Sequence, residues 1–482
     1  MNLNNTNSLN KIKHTLIIGL ITILISVISV LNIKIGILVI MLGLVSFFIG
    51  ILFIKSKFNL YKTINILFFL CIPYMVDLGK NSLSDYHLAA KTYYCPNIMH
   101  IFALIFLILI LINIKKIKMG IDLWIIIALN IVMITSIFIA INSKAAFYDY
   151  FRYLNVSIIY IFFSRIVYIR EYYNIFTNCL VFDIFTQFII GIGQKIKGGA
   201  IGLKILGEPT NVFRVYVSGY EKGMSGTFPH PGPLALFGTF VLAIVIFNST
   251  INKSIRISGI ILSMGVIILA AGRTGILLML LVLAIYLISD LRNINSNKVT
   301  LIAIYCILAV VGIVIFNGPI TKVIDRFVNS DISHQMNTRL NHFMIAAKYI
   351  ERRPILGLGL NNYLDYTHME YPISVYQDFN LSNPIHNAFL LIAVEIGILG
   401  LICFISFIIT TITNYKQIKN YSKTNEYKKY RGIIAFIFVY CIYNLQGWAG
   451  LQTRSLIMVF IIVAMLRNES LTSINKYKNK KW

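Results

Sequence analysis

The sequence predicts an all-α integral membrane protein, a polytopic bundle of about 14 (12–14) transmembrane helices with one large external loop that contains an amphipathic helix. Three observations predict it. Hydrophobic residues make up 57% of the 482 and charged residues only 13%, at a mean hydropathy of +0.77, whereas soluble domains carry about 25% charged residues. The apolar residues fall in runs long enough to cross a hydrocarbon core, which takes about 20 residues of helix. Those runs do not alternate apolar and polar positions as barrel strands do.

In chain order the runs are 15–32, 35–54, 60–78, 98–114, 121–141, 154–170, 173–193, 232–248, 254–271, 274–290, 298–316, 387–413, 430–449 and 453–467. Lys11 and Lys13 precede the first, as in a signal peptide. That run has no small-residue cleavage site and leads into another span, so it reads as a retained helix. With the N-terminus inside, the inner connections hold the dense basic clusters: Lys115, Lys116 and Lys118; Lys416, Lys419, Lys423, Lys428 and Lys429; and Lys476, Lys478, Lys480 and Lys481. The positive-inside rule then places both termini in the cytoplasm and the segments 79–97, 194–231 and 317–386 outside. Three divisions are expected: 1–231, N-terminal helices and external loops; 232–413, a core that includes the loop 317–386; and 414–482, a cytoplasmic loop, two helices and a basic tail.

The net charge of +25 would suggest nucleic acid in a soluble protein. In this chain it reads as basic cytoplasmic loops, and no nucleic-acid partner is expected. Cys71, Cys95, Cys179, Cys306, Cys403 and Cys441 lack C-x-x-C or Cys/His spacing. They read as small buried hydrophobes, with no disulfide framework and no metal site.

The external loop of about 70 residues is where function concentrates, because loops carry function on a rigid scaffold. Residues 338–350 place Leu340, Phe343, Met344, Ala347 and Ile350 on one face of a helix, which either lies on the outer leaflet or caps the bundle. Glu351 to Pro354 ends it, and Gly357 and Gly359 form a turn before Tyr363. His386 stands before the next apolar run, at the membrane boundary, with an ordinary pKa near 6.5 that suits proton transfer. Arg273 sits in the tight joint Ala270-Ala-Gly-Arg-Thr-Gly; it either binds an anion with the free N–H groups of the following helix or snorkels to headgroups. Asp183 and Glu395 interrupt apolar spans, as functional groups or as structural partners across a helix interface.

Taken in order, Gly226-Thr-Phe-Pro-His230-Pro-Gly-Pro, Arg273-Thr-Gly, Arg339 ahead of Pro354-Ile-Leu-Gly-Leu-Gly, His386-Asn-Ala-Phe-Leu and Glu395-Ile-Gly-Ile-Leu-Gly resemble the O-antigen ligase and O-antigen/capsular polysaccharide polymerase (Wzy-like) superfamily of bacterial membrane glycosyltransferases. The resemblance implies a donor saccharide on undecaprenyl diphosphate, a saccharide acceptor, and transfer at the outer face of the cytoplasmic (inner) membrane without metal or cofactor. It implies that Arg273 and Arg339 hold the donor diphosphate and that His386 is the catalytic base. Arg214, Lys222, Tyr363 and Glu395 are further candidates, and a chain-length regulator is a candidate partner. His230 between two prolines reads as a turn residue, and the aromatic residues from Tyr363 to Tyr376 serve either as sugar-stacking faces or as a headgroup belt.

The leading function is a polymerase that joins lipid-linked repeat units. The second is a ligase that moves the finished glycan to a lipid, protein or wall acceptor. A lipid-linked oligosaccharide flippase is the alternative from another class, but no two-fold sequence repeat is present and the polar residues gather on one face.

Overall fold

The computed structural model describes residues 60–74, 98–209, 223–289, 332–372, 381, 383–421 and 425–478. The spans expected at 15–32, 35–54 and 298–316, the loop 79–97, Arg214 and Lys222 lie outside the described residues, and the span at 60–78 lies partly outside. The chain divides into two compact units, 1–69 and 70–482. Helix α1 (Leu60–Cys71) begins in the first. The second holds α2 (Ile98–Ile112), α3 (Ile121–Ile139), α4 (Ser143–Arg165), α5 (Ile169–Lys197), α6 (Pro231–Phe247), α7 (Lys253–Leu269), α8 (Arg273–Ile288), α9 (Ile332–Arg352), α10 (Tyr363–Glu370), α11 (Ala388–Tyr421), α12 (Arg431–Gln446) and α13 (Thr453–Lys478). No strand occurs among the described residues.

Helices α3, α5, α11 and α13 are each long and apolar enough to cross a membrane, and α1, α2, α6 and α8 are shorter apolar helices. This is an all-helical membrane protein. The apolar faces sort accordingly. Helix α3 exposes Ile121, Trp124 and Phe138 while burying Leu123, Ile126 and Met133, as a helix with one lipid-facing side does. Helix α6 is buried at every position except Gly232, and α13 from Arg454 to Leu466. These two form the core. Helix α6 packs on α7, α8 and α12, and α13 on α4 and α11.

The helix α4 begins at Ser143, well before the expected start at 154. Its first turns carry Lys144, Asp149 and Arg152, a loop-like composition, but the Asn142 side chain caps it by accepting from Ala145 N–H at 3.1 Å. Asp149 pairs with Arg152 at 2.7 Å one turn on. The expected connections at 414–429 and after 467 are also partly helical, since α11 runs to Tyr421 and α13 to Lys478.

One end of the second unit is tied by buried ions. Asp122 at the start of α3 accepts from Arg165 of α4 at 2.6 Å and from the Tyr160 hydroxyl at 2.8 Å, and forms an ion pair with Arg467 of α13 at 3.1 Å. Beside it Arg170 of α5 grips Glu469 of α13, with Nε 2.9 Å from Oε1. At the same end Arg431 donates to the Ser289 carbonyl at 3.0 Å and Arg256 to the Ile246 carbonyl at 2.6 Å.

Asp122 is 1% exposed and faces two guanidinium groups, so removing it leaves uncompensated buried charge. Asp122→Ala should destabilise the protein by about 3–5 kcal/mol. The Arg352–Glu370 pair, at 2.8 Å but with the arginine 49% exposed, should cost under about 1 kcal/mol when cut by Arg352→Ala. Thermal unfolding of the two detergent-solubilised variants checks the contrast, and equal losses would refute it.

Candidate active site

The opposite end collects the helix starts that matter. Asn387 caps α11 through its side-chain oxygen, which accepts from Leu390 N–H at 3.0 Å. Leu391 N–H then donates to the Asn387 carbonyl, also at 3.0 Å. His386 is the residue just before that cap, half-buried, with its ring against the rest of the site.

The partner of His386 is a residue the sequence reading did not single out. His342 on α9 is fully buried, and its ring meets His386 edge-on, centroids 5.9 Å apart at 70°. Arg339 lies three residues earlier on α9 and acts electrostatically on the same imidazole. Burial pushes the His386 pKa down to about 4; the positive charges of His342 and Arg339 push the same way, and a hydrogen bond to the Pro384 carbonyl opposes them. His386 is therefore neutral at neutral pH and holds a lone pair.

Arg273 opens α8, with Gly272 in extended backbone before it. Two hydrogen bonds join this joint to the start of α11 through the end of α12. Thr274 donates to the Gln446 side chain at 3.3 Å, and Ala388 N–H donates to the Gly447 carbonyl at 3.1 Å. Arg273, Arg339 and His386 therefore share one end of the second unit. The joint is also braced by the loop before α6. Met224 N–H donates to the Leu269 carbonyl at 3.1 Å, and a Cβ at Gly223 would lie 2.0 Å from the Ala270 carbonyl oxygen. Gln187 and Gln194 of α5 hold that loop, accepting from Thr227 N–H at 2.9 Å and from Gly226 N–H at 2.9 Å. Arg454 of α13 is buried beneath it, donating to the Thr227 carbonyl at 2.7 Å and stacking over Phe228 at 4.6 Å. His230 is an N-cap: its Nδ1 accepts from Gly232 N–H at 3.1 Å.

The external segment is clamped to α11 at a break in that helix. Ile396 and Gly397 leave helical geometry, Gly397 at φ 71° and ψ −178°. The turn after α9 fills the gap: Leu358 and Gly359 N–H donate to the Val394 and Glu395 carbonyls at 2.9 Å each, and Ile398 N–H donates to the Pro354 carbonyl at 2.8 Å. The same segment docks on the start of α4, where Asn142 N–H donates to Asn362 Oδ1 at 2.7 Å and Asn362 Nδ2 returns a bond to the Asn142 carbonyl at 3.2 Å.

Leu340, Phe343, Met344 and Ala347 of α9 are exposed, as the outer-leaflet setting of its apolar face expects. The face that packs on α11 is His342, Ile345, Ala346 and Tyr349. Tyr363 is fully buried and edge-on to Tyr349 at 6.1 Å, so its ring face is closed to a sugar. Glu395 is 4% exposed and lines a small internal cavity with Asp149, Arg152, Tyr153 and Trp448, which fits a partner across the α4–α11 interface better than a group facing substrate. Asp183 is completely buried in α5, and neither carboxylate oxygen has a hydrogen-bond partner among the described residues. No group of three His, Cys, Asp or Glu side chains stands at metal-binding spacing among the described residues.

Residues 258–405 match a family model described as O-antigen ligase. Over this segment, about a third of its length, the chain is similar to the O-antigen ligase family. The ligase-family segment begins within α7, ends within α11, and contains Arg273, Arg339, His342, the 354–359 turn and His386. A search of curated proteins returns no significant match.

A Cβ at Gly397 would sit 2.0 Å from the Ile355 carbonyl oxygen, in a backbone region open essentially to glycine alone. Gly397→Ala should therefore lower the melting temperature clearly and detach the turn. Gly199→Ala, with nothing within 4 Å, should leave it unchanged. Hydrogen exchange at Leu358 and Gly359 reads the detachment directly; full protection in folded Gly397→Ala would contradict the clamp.

Proposed function

We propose that this protein is a membrane glycosyltransferase that transfers a growing glycan from undecaprenyl diphosphate to a lipid-linked repeat unit, with inversion at the anomeric carbon. The observation that carries the reading is the clustering of His386 with Arg339, at the end of the helices where Arg273 opens α8, inside the ligase-family segment. In this reading Arg273 and Arg339 neutralise the diphosphate as it leaves, a task for which paired guanidinium groups are suited and which elsewhere falls to a metal. His386 takes the proton of the acceptor hydroxyl as that oxygen attacks from the side opposite the diphosphate. The C–O bond to the diphosphate breaks as the glycosidic bond forms, and the proton ends on the imidazole.

An apolar groove of about 920 Å³ between α8, α11 and α12 supports a lipid-linked donor. Phe389 and Leu445 line it near the His386 end, and Tyr415 and Arg431 line it at the other. Lys416, Lys419, Lys428, Lys429 and Lys476 lie at the opposite end of the helices from His386, which supports cytoplasmic termini and a site facing outward across the inner membrane. The fuller architecture is about 14 spans, with its core at 232–413. The family description itself favours a second reading, transfer of the finished glycan to another acceptor. Deleting the gene separates them: single-repeat lipid-linked units accumulate if a polymerase is lost, and full-length unattached lipid-linked glycan if a ligase is lost.

His386→Ala should slow transfer in reconstituted vesicles by about 10²–10⁴-fold, and Arg273→Ala or Arg339→Ala by about 10²–10³-fold. Wild-type rates from a folded variant would end the assignment of that residue. The pH profile gives a separate check. The base must be unprotonated, so kcat/KM for the free enzyme should hold at acid pH down to about 4, where His386 titrates. A bound diphosphate offsets the charge of Arg339 and favours imidazolium, which moves the acid limb of kcat to higher pH. Coincident limbs would argue against Arg339 as the diphosphate ligand.

A further inference from the structure

We propose that His342 is a positioning residue for His386, bracing the imidazole from α9 and setting, with Arg339, the ease with which it accepts a proton. The inference rests on His386 as base and extends that reading to a residue outside it. Helix α9 sorts its side chains against the usual rule: Leu340, Phe343 and Met344 are exposed, and the polar His342 between them is turned fully inward. Its ring meets His386 edge-on at 5.9 Å. The same helix carries Arg339 one turn earlier, and the 354–359 turn fixes α9 to α11. The charged groups that act on His386 include His342 and Arg339, both from α9, and its own segment adds the Pro384 carbonyl. Two imidazoles this close take up their first proton as a pair and resist a second, so each governs the charge of the other.

The test follows the titration of His386 itself. Diethyl pyrocarbonate acylates neutral imidazole, and mass spectrometry of the full-length protein in nanodiscs gives the modification rate of His386 against pH without any need for turnover. In His342→Phe and His342→Gln, which keep a ring or a polar group but no second charge, the midpoint should move up by about one pH unit. The acid limb of transfer should move with it. An unmoved midpoint in both folded variants overturns the proposal, even if turnover falls, because a purely structural histidine would lower the rate without shifting the titration. Normal transfer by His386→Ala would instead refute the base assignment, a result readable apart from the midpoint shift.

Discussion

The site depends on three backbone hydrogen bonds that fill a break in α11. An α-helix that stops and restarts in an apolar setting leaves carbonyls and an N–H group without partners, at a cost of several kcal/mol for each unsatisfied group. Here the orphaned carbonyls of Val394 and Glu395 accept from Leu358 and Gly359, and Ile398 N–H finds Pro354. The turn does not rest on the helix; it replaces the missing backbone. Removing the turn exposes the break, and straightening the helix expels the turn. The glycines explain why both partners tolerate this. Gly357 lies against the Val394 and Glu395 backbone and Gly397 against the Ile355 carbonyl, each with positive φ and no room for a Cβ.

That constraint reaches the chemistry through short levers. The turn follows α9 directly, so fixing it fixes the helix that carries Arg339 and His342. The break lies about two turns into α11, and the cap at Asn387 begins that helix immediately after His386. One junction thereby sets the distance between the base and the groups that tune it. At the other end of the helices, Asp122, Arg165, Arg467, Arg170 and Glu469 join α3, α4, α5 and α13 through buried charge. The two ends are held by different physics. Buried ion pairs lock one, while the site end relies chiefly on backbone bonds and caps.

The apolar runs gave away most helix positions, because membrane thickness imposes a length that composition reveals directly. Arg273 and His386 stand at helix boundaries, which the ends of the apolar runs mark in the sequence, whereas Arg339 lies inside α9 and was singled out only by its order in the motif string. The start of α4 was not, since Lys144, Asp149 and Arg152 look like loop residues until Asp149 and Arg152 are seen to pair. Neither was the orientation of α9. Hydrophobic periodicity identifies an apolar face, but a membrane protein has two apolar surroundings, its own core and lipid, and periodicity does not tell them apart. For the same reason His342 passed unnoticed: it lay off the apolar stripe and looked solvent-facing. The Pro354–Gly359 segment was legible as a turn, yet nothing local could reveal that its donors complete a helix some 40 residues further on in the chain.

Inverted sorting on α9 has a consequence for how the site handles charge. A helix that turns Leu340, Phe343 and Met344 outward has an apolar face suited to the surface of a bilayer. Its inward face is then free of the duty to be apolar and can present His342 to His386. Arg339 is exposed beside that face, and on the proposed reading it meets the donor diphosphate there. On the proposed reading, carrying Arg339 on the helix that presents His342 ties donor binding to base strength: a bound anion relieves the repulsion that keeps His386 unprotonated, and the imidazole becomes a stronger proton acceptor when the leaving group is in place. On that reading the base stays weak and neutral without donor, held in reserve until the charge that needs stabilising has arrived.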